Sequence, residues 1–123
     1  DCAQIPDLVP ILAVAMAAAE GDSRITGAAR LRIKESDRLS AMAAALTAAG
    51  ADAAELPDGL AIRGGKTLHA AKIEGCNDHR IVMAMAIASA LSDGEWTITD
   101  AEATAKSAPA FWQEFERLGG LAR

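Results

Sequence analysis

Two stretches of this chain are apolar on every side of a helix, and they constrain everything around them. Leu8 to Ala19 runs twelve residues without a polar side chain, and Ile81 to Leu91 is broken only by Ser89. A helix with no polar face belongs inside a protein, with other elements packed around it. Neither stretch reaches the roughly 20 residues needed to span a bilayer. Thirty of the 123 residues are alanine, against four aromatics: Trp96, Phe111, Trp112 and Phe115. So small a side chain fills space only where backbones approach closely, and a tightly packed helical core is expected. A hydrophobic fraction of 51% excludes a disordered tail. The length suits one ordinary domain or a piece of a larger one.

Punctuating residues divide the chain. Asp7, after Ile5-Pro6, reads as the cap or first turn of a helix to about Glu20. Pro10 is tolerable there because the first turn has no intrahelical donor to lose. Gly21-Asp22 ends this helix, and Arg24-Ile25-Thr26 has strand character. A second helix is expected from about Ser36 to Ala49, with Leu39, Met42, Ala43 and Leu46 on one face and Gly50 as its stop. Ala51 to Leu56, Pro57-Asp58-Gly59 and Leu60 to Gly64 read as strand, turn, strand. Leu68 to Ile73 is a further candidate strand. Gly75 to Asp78 forms a loop and cap before a third helix, about His79 to Leu91. A strand at Trp96 to Thr99 follows, then an amphipathic helix from about Pro109 to Leu118, with Phe111, Phe115 and Leu118 expected in the core.

These elements repeat. Asp7 leads a buried helix, then Ile25 in a strand, then Lys34 and another helix ending in glycine. Asp78, Ile98 and Lys106 stand in the same succession, offset by about 70 residues. With strands after the second helix, each unit reads as part of a β-α-β-α-β-β module. The expected class is therefore α/β, with helices buried inside a shell of strands and an interior left partly uncovered.

Charge is unevenly spread. The net charge of −5 argues against a general nucleic-acid surface. From Arg24 to Arg38, however, five basic residues face only Glu35 and Asp37, a local balance of +3, and the rest of the chain carries −8. A short positive block in an acidic chain is the footprint expected for a small anionic ligand. Cys2 and Cys76 are isolated, with no metal-ligand or disulfide spacing, so no metal site is expected and a reduced cytoplasm is.

Three motifs carry possible chemistry. In Arg32-Ile33-Lys34-Glu35-Ser36-Asp37-Arg38, a structural account has Ser36 or Asp37 capping the helix and Glu35 pairing with Arg38. A functional account gathers Lys34, Arg38 and a carboxylate at a helix N-terminus, where free backbone donors also favour an anion. In Asn77-Asp78-His79-Arg80, either Asn77 or Asp78 suffices as a cap, which leaves His79 and Arg80 without a structural purpose. Ala105-Lys106-Ser107-Ala108-Pro109 is weaker by itself: a lysine before a capped, proline-started helix. Asp7 alone would be a cap, and gains interest only from matching Asp78 in the repeat.

Ile5-Pro6-Asp7, Lys34-Glu35-Ser36-Asp37-Arg38-Leu39, Asn77-Asp78-His79-Arg80 and Ala105-Lys106-Ser107-Ala108-Pro109 follow one another in the order and spacing of the last part of 5-enolpyruvylshikimate-3-phosphate synthases. The chain resembles that family from end to end, over the C-terminal quarter to third of a member. The resemblance implies an enolpyruvyl transferase-like fold, with two domains of three βαβαββ units each. This chain would be part of the C-terminal domain, with units at approximately 1–66 and 67–123 and the N-terminal domain absent.

The implied activity is transfer of the enolpyruvyl group of phosphoenolpyruvate to the 5-hydroxyl of shikimate 3-phosphate, releasing phosphate, on the route to chorismate and aromatic amino acids. No cofactor or metal is implied. By position, Asp7 resembles the carboxylate that holds and deprotonates the attacking hydroxyl, and Glu35 the one that moves a proton at the methylene carbon. Lys34 would contact shikimate 3-phosphate and the reacting centre. Arg38, Arg80 and Lys106 would clamp phosphoenolpyruvate, with His79 beside Glu35. Arg30 stands where many members carry an asparagine that touches the shikimate substrate, so that contact departs from the pattern.

The resemblance also implies a cytoplasmic, monomeric full-length enzyme without nucleic-acid or membrane partners, whose other domain completes the site. The sister enzyme, UDP-N-acetylglucosamine enolpyruvyl transferase, lacks the K-E-S-D-R and N-D-H-R blocks. A further alternative is that the isolated segment is non-catalytic and a weak anion binder. A shared anion site requires Arg38, Arg80 and Lys106 to converge, within about 15 Å of one another.

Overall fold

A computed structural model describes every residue from Asp1 to Arg123. A 3₁₀ turn at Pro6–Leu8 leads into α1 (Val9–Ala18), then β1 (Asp22–Ile25) and a second 3₁₀ turn (Ala29–Ile33). Next come α2 (Arg38–Ala48), β2 (Asp52–Leu56) and β3 (Gly59–Arg63). The remainder is β4 (Lys72–Ile73), α3 (His79–Ser89), β5 (Thr97–Ile98), a third 3₁₀ turn (Ala101–Lys106) and α4 (Phe111–Arg117). No helix is long and apolar enough to cross a membrane.

β3 is the middle strand of an antiparallel sheet ordered β1-β3-β2, with Ile25 opposite Leu60 and Leu56 opposite Gly59. Leu60 and Ile62 alternate inward from β3, as a strand with one covered face requires. Gly59 is fixed by space: a methyl group there would run into the Ile25 carbonyl of β1. β4 and β5 pair in parallel, and α3 lies in the crossover that such pairing needs.

α1 packs against α2 and α3 and against the β1–β3 sheet. Val9, Ala13, Val14 and Ala17 face inward, while Leu8 and Ile11 stay exposed. In α3, Ile81, Val82 and Met85 are buried, whereas Ile87 and, just past the helix, Leu91 are open. α1 is thus covered on one side, and α3 nearly all round except at Ile87. Eleven of the thirty alanines are buried, so leucine, isoleucine and methionine fill more of the core than composition suggested.

α2 begins at Arg38, two residues later than expected, because Asp37 is the cap: its carboxylate accepts the Ser40 N–H at 3.1 Å. The expected face of Leu39, Met42, Ala43 and Leu46 is buried. The helix ends as Gly50 takes φ +92°, with Ala51 N bonded to Leu46 O at 2.9 Å and Gly50 N to Thr47 O at 3.0 Å. Replacing Asp37 by alanine is expected to cost about 0.5–2 kcal/mol of stability. A lower denaturant midpoint at unchanged m value would report it.

Asp7 takes the second of its two expected places, in the 3₁₀ first turn that leads into α1, and makes no capping bond. Two expectations change. The strand expected from Leu68 shrinks to Lys72–Ile73. α4 buries no residue: Phe111, Trp112 and Phe115 pack mainly on one another, with ring centroids 5.0–6.1 Å apart, and Leu118 is 77% exposed. Amphipathic spacing specified a face, but no layer of the chain closes over it.

Candidate active site

Three helix beginnings meet at one place. The turn before α1 brings Asp7, and the loop before α2 brings Lys34 and Glu35, with Arg38 opening the helix. Asp78 caps α3, and His79 and Arg80 form its first turn. Helix N-termini carry free N–H groups and the positive end of the dipole, so the location itself favours anions.

Arg38 is at the centre and only 1% exposed. Its Nε donates to Asp78 Oδ2 at 2.8 Å and its Nη2 to Asp78 Oδ1 at 3.2 Å. Nη2 also donates to Glu35 Oε2 at 2.6 Å, and Nη1 to Asp7 Oδ1 at 3.1 Å. One guanidinium therefore joins all three helix starts. Burial alone would lower the Arg38 pKa, but the hydrogen bonds and charge of Asp78, with Glu35 and Asp7, hold it above its ordinary value. Asp78 is fully buried. Burial pushes its carboxyl up, yet Arg38, the Ser36 hydroxyl at 2.8 Å and the Arg80 backbone N–H hold it below the usual carboxylate range.

Asp7 is half exposed and has three cations within 4.0 Å: Arg38, Lys34 Nζ at 3.9 Å and Arg80 Nη2 at 4.0 Å. Lys34 precedes the helix, so it does not share a helical face with Arg38; the two meet through Asp7. His79 is buried beside Asp78, with Nδ1 4.0 Å from Oδ1 and no hydrogen-bond partner. Arg80 Nε is likewise buried and unmatched. Such orphaned groups are uncommon away from sites that act on other molecules.

Lys106 reaches the rim of this cluster, donating from Nζ to the Asn77 carbonyl at 2.7 Å. The Gly75–Asn77 loop is held from the residues just after β5: Thr99 Oγ1 accepts from Gly75 N at 2.9 Å, and Asp100 Oδ2 from Asn77 N at 2.8 Å. Cys76, Asn77 and Asp100 all take positive φ, between 49° and 57°, which asparagine and aspartate tolerate better than cysteine. Burial, then Glu74, Asp100 and Asp78, push the Cys76 thiol up, leaving little thiolate at neutral pH.

The basic block divides in the fold. Arg32 is a strap: Nε donates to Pro57 O at 3.0 Å, Nη2 to Leu56 O at 2.7 Å, and Nη1 to Glu55 at 2.6 Å and Asp37 at 2.9 Å. It ties the Lys34-Glu35 loop to the hairpin between β2 and β3. Its side-chain bonds with Glu55 and Asp37 outweigh a small burial effect and raise its pKa. No sequence signal marked this role, because Arg32 and its hairpin partners are more than 20 residues apart. Arg30 is exposed on the 3₁₀ turn and joins none of these contacts. Ser36, by contrast, turns out to bond Asp78 instead of capping α2.

Two partly exposed carboxylates, Asp7 and Glu35, thus flank one buried guanidinium, with Lys34 and Arg80 about one-third open beside them. Such a set can hold a small anion and exchange protons at two points.

The family model for EPSP synthase (3-phosphoshikimate 1-carboxyvinyltransferase) matches residues 1–115. Proteins named 3-phosphoshikimate 1-carboxyvinyltransferase from Clostridium acetobutylicum and Prochlorococcus marinus are 51% and 49% identical over 98% and 94% of this chain. The chain spans only 28% and 26% of their lengths. An EPSP synthase structure from Acinetobacter baumannii superimposes with a TM-score of 0.83 at 38% identity, covering 88% of this chain and 26% of its own. With the motifs, the clustered helix starts and the superimposed backbone in agreement, the chain belongs to the EPSP synthase family and has its enolpyruvyl transferase fold.

Proposed function

We propose that this chain supplies one wall of the active site of a 3-phosphoshikimate 1-carboxyvinyltransferase, as part of that enzyme's C-terminal domain. The observation that carries the reading is Asp7, a half-exposed carboxylate with Lys34, Arg38 and Arg80 within 4.0 Å. In the proposed reaction Asp7 takes the proton from the 5-hydroxyl of shikimate 3-phosphate as its oxygen attacks C2 of phosphoenolpyruvate. Glu35 delivers a proton to the methylene carbon, giving a tetrahedral intermediate. Return of a methyl proton to Glu35 and departure of phosphate, which takes up the proton held by Asp7, then restore the double bond. Arg38, Arg80 and Lys106 would balance charge on carboxylate and phosphate, Lys34 would contact shikimate 3-phosphate and the reacting centre, and His79 would border Glu35. Arg30, exposed and unpaired, is the weakest member of the set.

The remaining chain of a full-length enzyme would supply the opposite wall and cover the open side of α1 and Ile87 of α3. Units at approximately 1–66 and 67–123, a cytoplasmic location and a monomeric state belong to the same proposal. The test is phosphate release by the full-length enzyme carrying this segment. Release that requires both phosphoenolpyruvate and shikimate 3-phosphate is expected; release without the shikimate ester, or none, would sink the reading. The isolated 123-residue segment is expected to release none, since it spans only about a quarter of its relatives' length and lacks the opposite wall of the proposed site.

A further inference from the structure

Asp78 does more than cap a helix. Its Oδ1 accepts the Arg80 backbone N–H at 3.0 Å, the capping bond proper. That leaves most of its hydrogen-bonding capacity, and all of it is directed at the α2 start, forty residues earlier in sequence. Oδ2 accepts both Arg38 Nε at 2.8 Å and Ser36 Oγ at 2.8 Å, and Oδ1 takes a second bond from Arg38 Nη2 at 3.2 Å. A two-pronged carboxylate fixes both the position and the plane of a guanidinium, because the two N–H groups of the fork are rigidly related. Once Nε and one Nη2 hydrogen are held, the direction of the remaining edge is determined. That edge points at Asp7 and Glu35, the two partly exposed carboxylates of the site.

A simple cap would not need this arrangement. Asn or Ser caps a helix as well as Asp does, and a buried ion pair is weak evidence of stability, since apolar replacements are often neutral or better. What the fully buried Asp78 provides, and an apolar pair would not, is a fixed orientation for a cation. Ser36 limits the alternatives further by occupying the same oxygen as Arg38 Nε, so the carboxylate cannot rotate without losing two bonds.

We infer that Asp78, with Ser36, is a positioning residue: it does not touch substrate but aims the Arg38 guanidinium at the reacting anion from behind. The inference rests on the enolpyruvyl-transfer reading above, in which Arg38 meets phosphoenolpyruvate. It concerns the donor substrate first, because Asp78 bonds neither Lys34 nor Asp7, the groups assigned to shikimate 3-phosphate, and Asp7 keeps Lys34 and Arg80 within 4.0 Å when Arg38 shifts.

Steady-state kinetics of the full-length enzyme carrying Asp78→Asn or Ser36→Ala test it. The Asp78→Asn change keeps the size and the capping oxygen but turns an amide donor or a neutral oxygen toward Arg38. The KM for phosphoenolpyruvate is expected to rise roughly tenfold to hundredfold, the range for a misplaced binding group. The KM for shikimate 3-phosphate should change less than about twofold, and Ser36→Ala should give the same split with a smaller rise. Ser36 is a partly buried loop residue, so its variant keeps the test decisive if Asp78→Asn fails to fold. Equal rises for both substrates, or a loss of thermal stability with both KM values unchanged, would overturn the positioning role. The unsubstituted enzyme separates the two failures. If it turns over both substrates while the variants show no split, only the positioning role falls; if it does not turn them over, the enolpyruvyl-transfer reading has failed.

Discussion

Replacing Arg38 by leucine is expected to lower the unfolding free energy by about 3–5 kcal/mol at neutral pH, the cost of leaving one partner of a buried pair ionised and alone. The stranded group is Asp78, fully buried and bonded to Arg38 in two places. The pH dependence identifies the cause. In the unsubstituted protein Asp78 titrates below the usual carboxylate range. The unfolded chain therefore binds the extra proton first on acidification. The stability contributed by the pair is complete above the ordinary aspartate pKa of about 3.9 and is lost as pH falls through the depressed value. In the leucine variant burial remains and the counter-charge is gone, so the Asp78 pKa rises above that of the unfolded chain. Keeping it ionised then becomes costlier as pH increases. The deficit relative to the unsubstituted protein should be largest near pH 7 and shrink toward about pH 4–5. Urea titrations of the full-length enzyme at several pH values measure this. A deficit independent of pH would assign the loss to packing.

The second large effect is catalytic. In the full-length enzyme, Asp7→Asn is expected to reduce kcat by about 10²–10⁴-fold, the usual contribution of a positioned general base. The KM for phosphoenolpyruvate should stay level or fall, a direction set by the geometry. Asp7 has Arg38, Lys34 and Arg80 within 4.0 Å and so competes with any anion for them. A neutral amide of the same shape ends that competition while removing the proton acceptor. A kcat within about tenfold of the original, or a KM that rises in parallel, would refute the assigned role.

Much of this chain was legible before its fold. The helices, the β2–β3 hairpin and the glycine stop of α2 all follow from local rules, apolar period, cap and turn chemistry, that act within a few residues. The motifs also named most of the residues that gather around Arg38. They failed where a residue's partner lies far along the chain. Arg32 looked like part of a cationic footprint and proved to be a strap to Glu55 and the hairpin carbonyls. Ser36 looked like a cap and proved to be a partner of Asp78. Phe111, Phe115 and Leu118 had the spacing of a core face, but spacing cannot say whether anything covers it.

The sequence by itself therefore determined where the main helices and the β2–β3 hairpin form, and which charged residues stand at helix starts. Only the tertiary structure decided that three of those starts coincide, that Arg38 is buried among Asp7, Glu35 and Asp78, and that Arg30 is left out. The reason is physical. Local structure is set by backbone sterics and side-chain periodicity over short range, whereas charge pairing acts at hydrogen-bond distance, and which charges come within that distance is fixed by how α1, α2 and α3 pack.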